Sequence, residues 1–438
     1  MTDVPKHHGV KPAAPGHAAA IRVALAAVVM AGLIGGQDAA ADPVSTGATK
    51  PASGQGSIHK PASSLPESGD AGTRMRTHVS KFVPMQQMNP QSASVSGYFF
   101  ETPASLACLY GLTTTTTGCI PGKVSTVASG GSKVIAIVDA YDHPWIASDL
   151  AKFSAQFGLP TANLQVVYAT GRRPNIDQSG GWELEEALDV EVAHAMAPSA
   201  KIILVEAASS SLTDLLKAVD VASSLVATAG GGQVVMSWGS DEFSGEASYD
   251  THFATKNVVY LAASGDSPGV SWPATSANVI AVGGTSVSRN PTTGVLISEA
   301  AWSDGGGGPS SYVGRPAYQS AVASLVGTTR ATPDIAAVAD PNTGVWVYNS
   351  FPYEGVVEGW MAIGGTSVAA PLTAAVINSS GTFRASSATQ LATIYAAAGT
   401  SSFKSITRGI CGPYAGYSPG TTWSPCVGLG SPNGRTGF

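Results

Sequence analysis

The stretch "WELEEALDVEVAHAMAPSAKIILVEA", residues 182–207, decides the fold class. Its first part reads as an amphipathic helix and its last part as a short, near-continuous apolar strand. The same kind of run recurs in "KVIAIVDA" (133–140), "QVVMSWG" (233–239), "NVVYLAASGD" (257–266) and "NVIAVGGTS" (278–286). Such runs mark strands buried on both faces of a parallel sheet. Helical stretches at 145–157, 182–196 and 212–223 separate them. This βαβ alternation predicts an α/β domain, with a mainly parallel central sheet and helices on both faces. In such sheets chemistry sits beyond the C-terminal ends of the strands. The helix at 182–196 raises a question of its own. It carries Glu183, Glu185, Glu186, Asp189 and Glu191, with His194 further along. Five acids are either a solvated face or half of an active site.

The whole chain bounds the answer. It has 438 residues, 44% hydrophobic and 12% charged, with a net charge of -6. It is too apolar for a disordered chain and long enough for a large core. Nothing in the charge suggests nucleic acid. Arg22 precedes "VALAAVVMAGLIGG" and then "QDAAADP". This is a charged, an apolar and a small-residue region in turn, so residues 1–41 read as a signal peptide cut after Ala41. The apolar run is too short to span a bilayer, so a secreted, extracellular protein with no membrane contact after processing is expected. Four cysteines, Cys108, Cys119, Cys411 and Cys426, suggest two disulfides in an exported chain. Local pairing is the simplest of the three connectivities. Residues 42–96 are rich in Ser, Gly, Pro, Ala and Gln, and read as a flexible linker or short pro-segment. One domain, 97–438, follows, and a monomer is expected.

A second signal lies near the far end, in "GWMAIGGTSVAAPLTAAVINSS" (359–380). Small residues lead into Ser367 and then a helical run. Ser367 is either a helix N-cap or a nucleophile beside backbone N–H groups. The serine motif "GTSxxxP" points to the subtilisin superfamily, whose usual members also carry a His-Gly-Thr base motif. Here five of the eight histidines precede residue 79, and His143, His194 and His252 lack that context.

Taken together, the chain resembles the sedolisins, serine-carboxyl peptidases with a subtilisin-like fold and Glu in place of His. The carrying motifs are "EALD" after Glu185, "AASGDSPG" and "GGTSVAAP", in that order, backed by "IAIVDAYD", "SWGSDE" and "TPDIAAVADPNTGVWVY". The resemblance covers roughly residues 98–438. It implies a secreted, acid-acting endopeptidase that cuts polypeptides through an acyl-enzyme. Ser367 is then the nucleophile, Glu185 its base, Asp189 the support of that base, and Asp266 a protonated donor to the oxyanion. The chemistry is coherent. A serine hydroxyl needs a positioned base. Glu185 and Asp189 lie one turn apart on one helix face, so their charges push one pKa up. An ionised Asp266 would repel an oxyanion, so it must be neutral to serve. Asp139 and Trp238 are candidates for the surroundings of these acids. "SWG" and "DGGGGPSS" (304–311) are expected to pair with an extended substrate. Glu183, Glu186 and Glu191 fall to the solvated or structural reading, and His194 to a helix-face residue. Two rivals stay in view: a His-dependent peptidase using Asp139 with His194 or His143, and a non-catalytic protein on the same fold.

The chain departs from the family in two places. Sedolisins carry a calcium site near the C-terminus, but Ser405 and Ser424 replace its aspartates. Calcium wants carboxylates among its oxygens, so no cofactor and no metal are expected, and a Cys411–Cys426 bridge is expected as the staple instead. The family also carries a large folded prodomain, and residues 42–96 are too short and polar for one. A chain starting near Gly97 is therefore expected to fold.

Overall fold

A computed structural model describes residues 56–84, 88–92, 94–95, 97–357, 359–412, 420 and 422–438. The signal-peptide reading of residues 1–41 lies outside them. Along the chain run β1 (Gly56–His59), β2 (Arg76–Thr77), β3 (Ser80–Pro84) and α1 (Pro103–Leu109). The alternating part is β4 (Val134–Ala140), α2 (Ile146–Phe157), β5 (Asn163–Tyr168), α3 (Gly181–Met196), β6 (Lys201–Ala207), α4 (Leu212–Thr228), β7 (Gly232–Met236), β8 (Trp238–Asp241) and β9 (Val258–Ala263). Then come β10 (Ser271–Trp272), β11 (Val279–Arg289), β12 (Leu296–Ala301), β13 (Gly308–Gly314), α5 (Ala323–Val326), β14 (Thr329–Thr332) and β15 (Ile335–Val338). The chain continues through β16 (Val345–Asn349), β17 (Gly359–Gly364), α6 (Thr366–Ser379) and α7 (Ser387–Ala396).

The central sheet has the order β12-β11-β9-β7-β4-β6-β5, with β15 also beside β11. All its pairs are parallel except β11–β12. Side chains alternate along β4 and divide the core in two. Ile135 and Ile137 join Leu184 and Leu188 of α3 and Val368 and Leu372 of α6. Val134, Ala136 and Val138 point the other way, into a cluster with Leu215 and Val219 of α4. Helices therefore cover both faces, as the apolar runs imply. Disulfides join Cys108 to Cys119 and Cys411 to Cys426.

The order begins earlier than the composition suggests. A four-stranded antiparallel sheet has the order β1-β3-β17-β16, so residues 56–84 are not a structureless linker. Phe82 of β3 is fully buried in a cluster with Tyr98, Phe100 and Trp346. These strands are short and held by backbone pairing, which leaves little side-chain pattern to read.

Candidate active site

Ser367 is the second residue of α6, and Gly364 and Gly365 bring β17 into the helix. The Ser367 hydroxyl donates to the Ser237 carbonyl at 3.1 Å, and its backbone N–H donates to the His78 carbonyl at 3.1 Å. Asp266, in the turn after β9, reaches the same helix start. Its Oδ1 accepts from the Thr366 N–H at 2.7 Å and from the Thr366 hydroxyl at 2.8 Å. Asp266 therefore caps α6. Its Oδ2 is buried and takes no hydrogen bond. A Cβ on Gly365 would stand 2.6 Å from that Oδ2 and 2.0 Å from the His78 oxygen. Gly365, at φ +111°, thus leaves open a small space that the carboxyl and the carbonyl share. Burial pushes Asp266 up to about 7, against the Thr366 bonds and the Lys60 charge, which pull it down. Near and below that pH its Oδ2 carries a proton and is a donor.

The acids of α3 approach from the opposite side. Every residue of α3 is buried, so the solvated reading of Glu183, Glu186 and Glu191 is overturned. The helix packs against α6, α2, β4 and β16 and has no face left for water. Burial raises Glu185 well above the usual carboxylate range, and the Asp189 and Asp139 charges add to it. The Ser367 hydroxyl opposes that rise from beside the carboxylate. Asp189 is likewise raised, by burial and by Asp139, and its Oδ1 accepts from the Ser237 hydroxyl at 2.9 Å. Burial holds Asp139 at about 8, and neither of its oxygens takes a hydrogen bond. Glu185, Asp189 and Asp139 thus form one dry acid group that cannot all be ionised together. Ser367 stands beside Glu185, whose two oxygens take no hydrogen bond, and meets Asp189 through Ser237.

The other acids of the helix divide differently. Glu183 accepts from the Asp177 N–H at 2.6 Å and Glu191 from the Tyr348 N–H at 2.9 Å, so both are structural. Glu186 faces Glu206, Asp139, Glu183 and Asp142, and burial with these charges raises it strongly. The two histidines of the rival reading, His194 and His143, are engaged elsewhere. His194 bonds the Pro160 carbonyl at 2.9 Å, and His143 bonds Asn349 at 3.1 Å. Trp238 is a core residue whose indole donates to the Val138 carbonyl at 2.7 Å, just before Asp139. The "SWG" edge pairs with the chain's own β2. "DGGGGPSS" pairs with the chain's own β14 through Gly308 and Pro309. Its Gly306 and Gly307 N–H groups bond the Gly265 and Gly269 carbonyls at 2.8 and 2.7 Å, which braces the Asp266 turn.

Three residues at this site escaped the sequence reading: Ser237, Thr366 and His78. Ser237 and Thr366 lie inside quoted motifs, but a serine or threonine there carries no signal of its own. His78 sat in a polar stretch with no pattern at all.

The residues near the C-terminus do not fit calcium. Ser405 and Ser424 stand where the resemblance implies carboxylates, and the Ser424 hydroxyl accepts from the Val427 N–H at 3.3 Å within a turn. The Cys411–Cys426 bridge crosses the same region. Among the described residues no cluster of His, Cys, Asp and Glu could hold a metal.

The parallel sheet, the serine at a helix start and the carboxyl opposite it define a subtilisin-like α/β architecture. The family model of the Subtilase family matches residues 174–390. Kumamolisin of Bacillus sp. (strain MN-32) is 31% identical over 343 residues, 70% of this chain and 59% of that protein. Sedolisin of Pseudomonas sp. (strain 101) is 38% identical over 118 residues, 25% of this chain and 19% of that protein. The solved Pseudomonas sedolisin, a serine-carboxyl proteinase complexed with pseudo-iodotyrostatin, superposes with a TM-score of 0.61 at 25% identity. It covers 77% of this chain and 96% of its own. The chain is similar to the sedolisins in sequence and in fold. It spans about three fifths of the length of kumamolisin.

Proposed function

We propose that this chain is a secreted, acid-acting serine-carboxyl endopeptidase. The observation that carries the reading is one carbonyl between two donors. The His78 oxygen takes the Ser367 N–H and lies across the Gly365 gap from the Asp266 carboxyl. That is where a developing oxyanion needs donors.

In the proposed reaction the Ser367 hydroxyl attacks the substrate carbonyl and passes its proton to Glu185. Asp189, held by Ser237, shares the proton load of Glu185. The oxyanion is met by the Ser367 N–H and by protonated Asp266. The leaving amine takes the proton back from Glu185, and water then hydrolyses the ester at Ser367. Asp266 must be neutral, so activity falls as pH rises through about 7. Glu185 must be free to accept, so activity also falls in strong acid. The His-dependent alternative has little support, because His143 and His194 are engaged elsewhere. Export is proposed from the leader pattern and the two disulfides. No helix of the described residues is long and apolar enough to cross a membrane.

Peptide hydrolysis across pH by the wild type and by Ser367→Ala tests the reading. Acid activity abolished in the variant is expected. Full activity in Ser367→Ala overturns the assignment, and no cleavage at any pH from about 2 to 8 favours a binding protein.

A further inference from the structure

The peptide path beside Ser367 is marked out by backbone pairing. Residues 74–78 run between two walls. On one side β2 pairs antiparallel with β8, Arg76 opposite Gly239 and Thr77 opposite Trp238. On the other side the Met75 N–H donates to the Ser210 carbonyl at 2.9 Å, and the Leu212 N–H donates to the Thr73 carbonyl at 2.8 Å. At the end of this path the His78 N–H donates to the Ser237 carbonyl at 3.2 Å, and the His78 carbonyl accepts from the Ser367 N–H. Such pairing is how a sheet edge takes an extended peptide, and it sets the register through main-chain groups alone. His78 therefore marks the residue whose carbonyl meets the nucleophile. Arg76 marks the third residue back from the cut.

The side chain at that third position has a partner of its own. Gly239 and Asp241 lie two apart on β8, so both face the same side of the pair as Arg76. Asp241 is thus the diagonal neighbour of Arg76 across the two strands, within reach of a long side chain. The Arg76 Nη2 donates to the Asp241 Oδ1 at 2.8 Å. Gly239 keeps the surface between them bare. A Cβ there would stand 2.3 Å from the Ser271 Oγ and 2.6 Å from the Trp272 carbonyl oxygen, so no larger residue fits. Asp241 is itself held in place, opposite Ser271 in the pairing of β8 with β10. Its side chain is 74% exposed, whereas that of Arg76 is 9% exposed. The acid therefore stands at the rim of the cleft, where a peptide arriving from solution meets it. Among the described residues its ion-pair partner is Arg76, so its charge is matched from within the peptide path and not by a neighbour in the fold.

We infer that Asp241 is a specificity residue, and that the enzyme prefers peptides with a basic residue at the third position before the cut. This rests on the peptidase reading above and names the substrate class of that site. The main-chain pairing accepts any sequence, so discrimination at this position comes from the charge on Asp241. An ion pair with one exposed partner is a modest lever, and arginine is expected to lead a neutral residue by about threefold to fivefold. An acidic residue meets Asp241 as a like charge and is expected to fall about tenfold behind arginine.

The test uses the full chain as wild type, Asp241→Asn and Asp241→Lys, at about pH 5, above the ordinary carboxylate range. Three added peptides, RMRTHVSK, RMQTHVSK and RMETHVSK, differ in the third residue before the expected cut. Rates are taken once they are constant in time, and the masses of the products locate the cut. The readout is the ratio of kcat/KM between peptides within one variant, so a loss of activity common to all three cancels. Melting curves show whether each variant is folded, and the Asp241→Asn ratio decides if Asp241→Lys is not. The wild type is expected to cut between His and Val, with the arginine peptide first and the glutamate peptide last. Asp241→Asn is expected to bring the arginine and glutamine peptides level, and Asp241→Lys to put the glutamate peptide ahead. Salt at about 1 M is expected to shrink the wild-type ratios toward one, because exposed charges are screened. A wild type that cuts the three peptides alike, or away from His–Val, overturns this inference and leaves the peptidase reading standing. An arginine preference that survives in Asp241→Asn overturns it as well. No cleavage of any of the three by the wild type removes both readings together.

Discussion

At the scale of the residue, Asp266 is what would set the proposed chemistry apart from that of a histidine-based serine peptidase. It caps α6 through Oδ1 and keeps Oδ2 for the oxyanion space. An amide at this position donates at any pH, whereas a carboxyl donates only when protonated. Asp266→Asn is therefore expected to keep much of the acid activity and to carry it to higher pH, measured as the alkaline limb of kcat against pH. Asp266→Ala is expected to lose about 10²–10³ in kcat, the usual cost of one oxyanion donor. Ser367, Glu185, Asp189 and Asp266 stand out as candidates in the sequence because three spaced motifs fall in one order. Ser237 and His78 do not, because His78 meets Ser367 through a backbone carbonyl that any residue type supplies, and the Ser237 hydroxyl that bonds Asp189 carries no pattern of its own.

At the scale of the element, α3 shows where pattern reading fails. Its acids suggested a wet face, but neighbouring elements and the residue 61–64 turn enclose it entirely. The consequence is a pH dependence of stability. Glu185, Glu186, Asp189 and Glu191 all have raised pKa values in the fold, with burial the first cause. A raised folded pKa means that the fold keeps protons the unfolded chain releases. Stability is thus fully present below the ordinary carboxylate range, about 4, and is lost as pH rises from there toward the folded values. The melting temperature is expected to fall steadily between about pH 4 and 8. Glu186→Gln is expected to reduce that fall, since Gln stays neutral; an unchanged slope would remove Glu186 from the account. The apolar strands, by contrast, were legible directly, because burial on both faces leaves a run with no polar positions. The C-terminal loop is a second element-scale case. With Ser405 and Ser424 in place of carboxylates, we propose that the Cys411–Cys426 bridge serves as its staple. Cys411→Ser with Cys426→Ser is expected to cost about 3 kcal/mol in a denaturant titration, while EDTA leaves the wild type unchanged.

At the scale of the whole molecule, the N-terminal part and the peptidase fold are one structure. β3 is an inner strand of the four-stranded sheet, and Phe82 fills a cluster that includes Phe100 and Trp346. A chain starting at Gly97 loses both, contrary to the expectation that it folds unaided. It is expected to be less stable than a chain starting at Val79 by about 3–5 kcal/mol, the scale of removing one buried Phe. Equal midpoints in urea would show that β3 is dispensable. The composition of this stretch conceals it, because β1 and β3 are held largely by backbone pairing and Phe82 is a single aromatic among polar neighbours.

The central claim is that carboxyl groups, with no histidine, run a serine nucleophile. The most direct measurement is the initial rate of peptide hydrolysis by the enzyme from about pH 2 to 9, with Ser367→Ala beside it. The account predicts a bell in acid, an alkaline limb at or below about 7 where Asp266 loses its proton, and no rate in the variant. A rate that climbs through neutral pH to an alkaline plateau, or that survives in Ser367→Ala, would contradict it.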